Sequence, residues 1–226
     1  MTRNAAPPAR RSRGSEALPA SFFDRETEIV SRELLGAVLW CRTPEGVAAG
    51  RIVETEAYLG EHDPACHAAG PGLTERTRPL YGAPGIAYVY FIYGVHWCFN
   101  AVTREHGQPS AVLVRAVEPL EGLSLMRSRR PAAKTDRDLT NGPGKLCAAL
   151  SIGPQHNGAP LQTPPLMITP GITYPDEAIA TAPRIGVSKA ADWPLRWYVA
   201  ASGFVSVREG AKGQGPRARG RVEGRS

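Results

Sequence analysis

The sequence predicts an α+β fold, a single mixed domain on a largely antiparallel β-sheet with flanking helices and a protruding β-hairpin. Three observations predict it. Strand-like runs outnumber helix-like ones, turn signals join them closely enough for hairpins, and the strand–helix–strand alternation of a parallel sheet is missing. At 226 residues the chain has room for one substantial core.

Asp24 reads as the N-cap of a helix to about Leu35, with Ile29, Val30 and Leu34 inward and Gly36 as its stop. Ala37–Cys41 reads as a strand, Thr43–Gly46 as a turn and Val47–Tyr58 as the returning strand. Alternation puts Glu54, Glu56 and Tyr58 on one face of that strand and Val53, Thr55 and Ala57 on the other. By itself this face fits an edge strand with a solvated acidic side. Residues 59–79 form a Gly-, Pro- and charge-rich loop carrying His62, His67, Arg76 and Arg78, long enough to suit binding better than plain connection.

The aromatic run Ala87–Thr103 is interrupted at Gly94, which suggests a hairpin with Tyr93 at or near its tip. The alternative is one buried strand with Tyr93 in the core. Ala111–Val117 is another β-rich run, with Arg115 embedded in it, and Pro119–Arg130 reads as a helix with Leu120 and Leu123 facing in. Arg127, Arg129, Arg130, Lys134 and Arg137 form a basic cluster, suited to a solvated helix end or to phosphate contact. In Asn141–Leu150 a glycine turn leads into a helix beginning near Pro143; its first amides and Lys145 suit an anion, without P-loop spacing. Residues 153–183 read as proline-rich and irregular, with Trp197–Ala200 and Phe204–Val207 as the last strand-like runs.

The net charge of +6 sits at the ends: residues 1–20 balance to +3 and residues 210–226 to +4, leaving −1 for the body. Residues 1–20 and 208–226 are therefore expected to be disordered basic tails around a folded domain spanning 21–207. Such tails suit a polyanion, or simply solubilise. Cys41, Cys66, Cys98 and Cys147 are scattered without a CxxC pair, which argues against a zinc site or a disulfide framework and suits a reducing cytoplasm. No apolar run reaches the length of a membrane span, and no metal or cofactor is implied.

Five segments carry a resemblance. Arg51–Gly60, Ala87–Asn100, Val112–Gly122, Asn141–Leu150, and Arg184–Val187 followed by Pro194–Val199 occur in one order over roughly residues 20–207. Together they resemble the alkyladenine (3-methyladenine) DNA glycosylase family. The resemblance implies a curved sheet, damaged double-stranded DNA as partner, and flipping of a damaged purine followed by hydrolysis of its N-glycosidic bond. It implies that Glu56 activates the attacking water, with Arg115 beside that water and the target phosphate. It implies that Tyr58, His67 and Tyr90 sandwich and hydrogen-bond the base and that Tyr93 wedges into the vacated stack. Asn100 is implied to reject the exocyclic amine of guanine, with Val187 at the pocket edge. Arg76, Arg78 and Lys145 are the candidate DNA-backbone contacts. Two positions depart from the family pattern: His96 replaces an aromatic just beyond the hairpin tip, and Leu80 a methionine in the loop that meets the opposite groove.

The chemistry agrees with that reading. A carboxylate stabilises an oxocarbenium-like state while taking the proton of the attacking water. Flipping costs a few kcal/mol, and stacking on Tyr58 and Tyr90 returns about 1–3 kcal/mol per aromatic. A neutral His67 is expected to donate to the purine, although a lone loop histidine is more often solvated. No lysine is expected in the pocket as a Schiff-base nucleophile, so the enzyme is expected to be monofunctional, leaving an abasic site in base excision repair. Cationic 3-methyladenine and 7-methylguanine leave readily, whereas neutral hypoxanthine and ethenoadenine need a proton from a group the sequence does not identify. A cytoplasmic monomer, nucleoid-associated if bacterial, is expected. Two rivals remain in view. A non-catalytic damage-binding module has no need of Glu56. A small-molecule glycosidase using Glu54 and Glu56 has both acids on one strand face, about 7 Å apart at their α-carbons, where an inverting mechanism needs opposite faces. Glu54 is expected to be structural and salt-bridged.

Overall fold

The computed structural model describes residues 16–207. The sheet is organised about one long strand, β2 (Gly46–Tyr58), and every pairing in it is antiparallel. The other strands are β1 (Val38–Thr43), β3 (Ala87–Ile92), β4 (His96–Thr103), β5 (Ser110–Glu121), β6 (Leu166–Thr169), β7 (Ile179–Ala182) and β8 (Arg196–Val199). They run in the order β3-β4-β5-β2-β1-β6, with β8 also pairing β2 and β7 pairing β8. On one side β2 lies along β5; on the other its first half meets β1 and its second half, Glu54–Glu56, meets β8. The acidic pair is therefore central to the sheet. The expectation of a solvated edge fails because β5 and β8 close both sides: Glu54 and Glu56 are each 0% exposed.

The β2–β5 register is irregular beside that pair. Ile52 faces Val117 and Glu54 faces Ala116, then Thr55 faces Val114, so Val53 on one strand and Arg115 on the other are each an extra residue. A bulge re-aims the side chain it carries, and here it turns Arg115 toward the two carboxylates. The β3–β4 hairpin closes through Tyr93 and Gly94, with φ of 54° and 68°, the left-handed pair of a primed turn. Of the two alternatives for Tyr93, the tip is correct: it is 80% exposed.

The helices are α1 (Ala20–Phe23), α2 (Thr27–Glu33), α3 (Leu123–Arg129), α4 (Asp136–Thr140) and α5 (Pro143–Leu150). Helix α5 packs on β4 and β5 and buries Leu146, Cys147, Ala149 and Leu150. Several expectations need correction. The helix expected from Asp24 begins only at Thr27 and runs to Glu33, and a separate short helix, α1, ends just before Asp24. Asp24 closes α1 through its backbone N–H on Ala20, and the chain extends at Glu26 before α2 begins. That break lets Phe23 point into the core while the Thr27 hydroxyl meets that of Thr103. The helix expected from Pro119 starts at Leu123, since Pro119–Glu121 continue β5 against Ala49 and Gly50. Leu120 is consequently exposed. A side chain at Gly50 would meet Val117 Cγ2 at 2.5 Å, so only glycine permits this close pairing. Strands β6 and β7 arise inside the supposedly irregular 153–183, each four residues long. Phe204–Val207 is no strand, because its backbone is engaged by side chains of Glu54, Arg137 and Arg196. Of the expected tails, residues 16–20 are described: Leu18 is buried and donates its N–H to Ile168, and α1 begins at Ala20. The rest of both tails lies outside the described residues.

Phe99 of β4 is fully buried in the main core. Phe99→Ala is expected to lower the unfolding free energy by about 3–5 kcal/mol, read from urea midpoints. A change below about 1 kcal/mol would mean that the strand is not packed as described.

Candidate active site

Strand alternation and the bulge bring the functional side chains of β2, β3, β4 and β5 to one concave face. The cleft there is about 700 Å³, with walls that include Tyr58, His67, Tyr90, Tyr93, Arg115, Lys145 and Val187. Its deep end is lined by Tyr58, His67, Leu80, Tyr88, Tyr90, Asn100 and Ala111.

Glu56 lies directly behind three residues of the cleft wall. Tyr58 donates its hydroxyl to Oε2 at 2.9 Å, Arg115 Nη1 lies 3.1 Å from the same oxygen, and the Ile185 amide donates to Oε1 at 2.7 Å. Three donors converge on this carboxylate. Burial, and after it the Glu56 charge, raises the Tyr58 phenol far above its ordinary value, so it stays a donor. Burial disfavours the Arg115 cation, but Glu56 and then Glu54 outweigh it and keep the guanidinium protonated. Glu54 faces away from this role. Its oxygens take Arg196 Nη1 at 2.9 Å, the Ser206 amide at 2.6 Å and the Ser206 hydroxyl at 2.9 Å, with Arg115 Nε at 3.4 Å.

On the opposite wall His67 meets Tyr90 edge to face at 4.5 Å between centroids, and its Nδ1 lies 2.9 Å from the Tyr88 hydroxyl. Asn100, buried at the deep end, donates Nδ2 to the Tyr88 carbonyl at 3.1 Å. The cleft thus combines Tyr58, Tyr90 and His67 rings on its walls with the amide of Asn100 at its floor. Tyr88 was not foreseen, although alternation through Ala87–Ile92 places it on the same face as Tyr90. Ile185 was also missed, because a backbone amide leaves no mark on a sequence.

The expected backbone contacts separate. Lys145 lines the cleft and donates to Asn141 Oδ1 at 2.7 Å. Burial, then Arg130, lowers its pKa. Arg76 leans over the Tyr90 ring at 5.7 Å, while Arg78 is ion-paired with Glu75 on the exposed side of its turn. Lys145 and Lys189 both lie on the cleft walls, close to the pocket in which no lysine nucleophile is expected. Leu80 is also relocated. It is 2% exposed and packs beneath the deep end, the apolar cluster around Tyr88 having drawn it inward. His96 packs against α5, since a Cβ at Gly144 would meet its Cγ at 2.8 Å. Among the described residues no group of three or more His, Cys, Asp and Glu is placed to hold a metal, and no helix is long and apolar enough to cross a membrane.

The fold and cleft define an α+β protein with a deep aromatic slot beside a buried, donor-ringed carboxylate. The sequence signature described as methylpurine-DNA glycosylase (MPG) matches residues 21–203. A Myxococcus xanthus (strain DK1622) protein is 50% identical over 192 residues, covering 84% of this chain and 93% of its own. One from Salinibacter ruber (strain DSM 13855 / M31) is 51% identical over 201 residues, covering 84% and 97%. One from Methanocella arvoryzae (strain DSM 22066 / NBRC 105507 / MRE50) is 47% identical over 195 residues, covering 84% and 96%. All three carry the name "Putative 3-methyladenine DNA glycosylase". The chain belongs to the methylpurine-DNA glycosylase family.

Burial, and then the charge of Arg76, pushes the His67 imidazole down to about 4 from its ordinary 6.5. Between these values the unfolded chain binds a proton that the native pocket refuses. Stability is therefore highest above pH 6.5 and falls as the pH drops toward 4. His67→Gln is expected to fall less steeply over that window in urea titrations at pH 7, 5.5 and 4.5. Identical slopes would place His67 in water.

Proposed function

We propose that the chain is a monofunctional DNA glycosylase of base excision repair that removes alkylated or deaminated purines from duplex DNA. The substrates are 3-methyladenine, 7-methylguanine, hypoxanthine and ethenoadenine, and the protein acts as a cytoplasmic monomer. The observation that carries this reading is Glu56, a buried carboxylate ringed by donors from three walls of an aromatic cleft.

A carboxylate has about four acceptor positions. Tyr58 and Arg115 occupy Oε2, and Ile185 takes one position on Oε1. The remaining position on Oε1 receives an O–H of the attacking water. Glu56 accepts that proton as the water oxygen bonds to the anomeric carbon, and the bond to the purine nitrogen breaks with its electron pair leaving on the base. Arg115 keeps the carboxylate in place and adds positive charge near the phosphate. A base cationic before cleavage leaves neutral, whereas a neutral base needs a proton as it departs.

The flipped base enters between Tyr58 and the His67–Tyr90 wall, and Asn100 at the floor restricts guanine by clash with its exocyclic amine. Val187 closes the edge. Tyr93, exposed at a turn whose backbone it strains, fills the vacated stack. Arg76, Lys145 and, from its exposed turn, Arg78 supply positive charge toward the DNA backbone. Glu54 cannot serve as a second acid, since Arg196, Arg115 and Ser206 already engage both of its oxygens; this disfavours a two-carboxylate glycosidase. Hydrolysis by Glu56 rather than attack by Lys145 or Lys189 is favoured by the donors already assembled on Glu56.

Glu56→Gln is expected to slow excision of ethenoadenine from a duplex about 10²–10⁴-fold with binding retained. Nicks are scored on denaturing gels after alkali. Undiminished cleavage by the variant contradicts the assignment of the base, and wild-type nicks without alkali contradict the monofunctional reading. Tyr93→Ala is expected to lower the flipped fraction, measured by ethenoadenine fluorescence, while salt-dependent duplex binding persists. An unchanged flipped fraction rules out the wedge.

A further inference from the structure

Behind the cleft, one buried ion pair joins β2, the start of the loop after it and the segment that carries Ile185. Arg184 Nη2 donates to Asp63 Oδ1 at 2.8 Å and Nη1 to Asp63 Oδ2, and both side chains are fully buried. The same Nη1 donates to the Ala57 carbonyl at 3.0 Å, one residue from Glu56 and one from Tyr58. The guanidinium carbon sits 4.8 Å from the centroid of the Tyr58 ring. Asp63 in turn accepts the amides of Leu59 at 3.1 Å and Ala65 at 3.0 Å, which folds the start of the loop carrying His67. The residue after Arg184 is Ile185, whose amide reaches Glu56 at 2.7 Å.

We infer that Asp63 and Arg184 are a positioning pair for the excision reaction, setting Ile185 on Glu56 and Tyr58 in the cleft together. The inference rests on the proposed role of Glu56. The physical argument is one of shared anchoring. A bidentate arginine–carboxylate pair fixes orientation as well as distance, and this one joins β2, the loop after it and the 184–187 segment. An arginine placed only for structure has no need to cover the face of Tyr58 while its neighbour donates to Glu56. Neither side chain lines the cleft, so the pair acts through Glu56 and Tyr58.

The test compares wild type with Arg184→Gln, Arg184→Lys and Asp63→Asn on an ethenoadenine duplex, measuring single-turnover excision at saturating enzyme and duplex affinity separately. Arg184→Gln is expected to lose about 10²-fold in rate, as small misplacement of reacting groups does, with affinity held within about threefold. Arg184→Lys, which keeps the charge but not the fork, is expected to recover part of the rate, a graded rescue that a purely structural role does not produce. Folded variants that excise within about threefold of wild type overturn the inference. So does failure of all three to fold, which makes the pair a folding element alone. If wild type excises but Glu56→Gln is undiminished, the parent reading fails independently of these variants.

Discussion

Two carboxylates buried in the middle of a sheet are the constraint on which the rest of the structure depends. Isolated, either charge costs several kcal/mol to remove from water. Among the described residues the buried acids are Glu54, Glu56 and Asp63, and the buried arginines are Arg115, Arg184 and Arg196. They pair as two sets: Arg196, Glu54, Arg115 and Glu56 form one chain of ion pairs, and Arg184 with Asp63 forms a separate pair. Removing one partner leaves an uncompensated charge, which typically costs about 3–5 kcal/mol. The arrangement is therefore poorly explained as a device for stability alone, since apolar packing serves that end at least as well. It is better explained by what it holds in place.

The fold supplies this arrangement through local irregularities. The bulge opposite Glu54 directs Arg115 inward, β8 covers the second half of β2, and the chain after β8 returns Ser206 to Glu54. The result is a division of labour between two residues of like type, two positions apart. Glu54 is saturated by Arg196, Arg115 and Ser206, whereas Glu56 is held from the cleft side by Tyr58, Arg115 and Ile185. On the proposed reading, that difference is what separates a structural carboxylate from a reactive one. In the proposed function the hairpin and the aromatic walls bring the sugar of a flipped nucleotide to Glu56.

Much of this was legible from the sequence where short-range rules apply. Alternation placed Glu54, Glu56 and Tyr58 on one face, the Gly94 break offered a hairpin tip for Tyr93 as one of two readings, and the turn before Pro143 placed the start of α5. Long-range pairing was not legible. Nothing near Glu54 announces that β8, some 140 residues onward, will cover it, so the plain reading of an acidic strand as a solvated edge was reasonable and wrong. Leu80 was misplaced for the same reason, its burial depending on Tyr88 and Ala111 from other strands. Ile185 contributes through its backbone amide, and Ser206 does so in part beside its hydroxyl; any residue except proline supplies such an amide.

The central claim is that Glu56 sits beside the water that attacks a flipped purine nucleotide. It is tested most directly by a crystal structure of Glu56→Gln bound to a duplex containing a single ethenoadenine. The account predicts the base in the slot between Tyr58 and His67–Tyr90, Tyr93 in the stack, and a water between residue 56 and the anomeric carbon. A base still stacked in the duplex, or one flipped with its sugar turned away from residue 56, contradicts it.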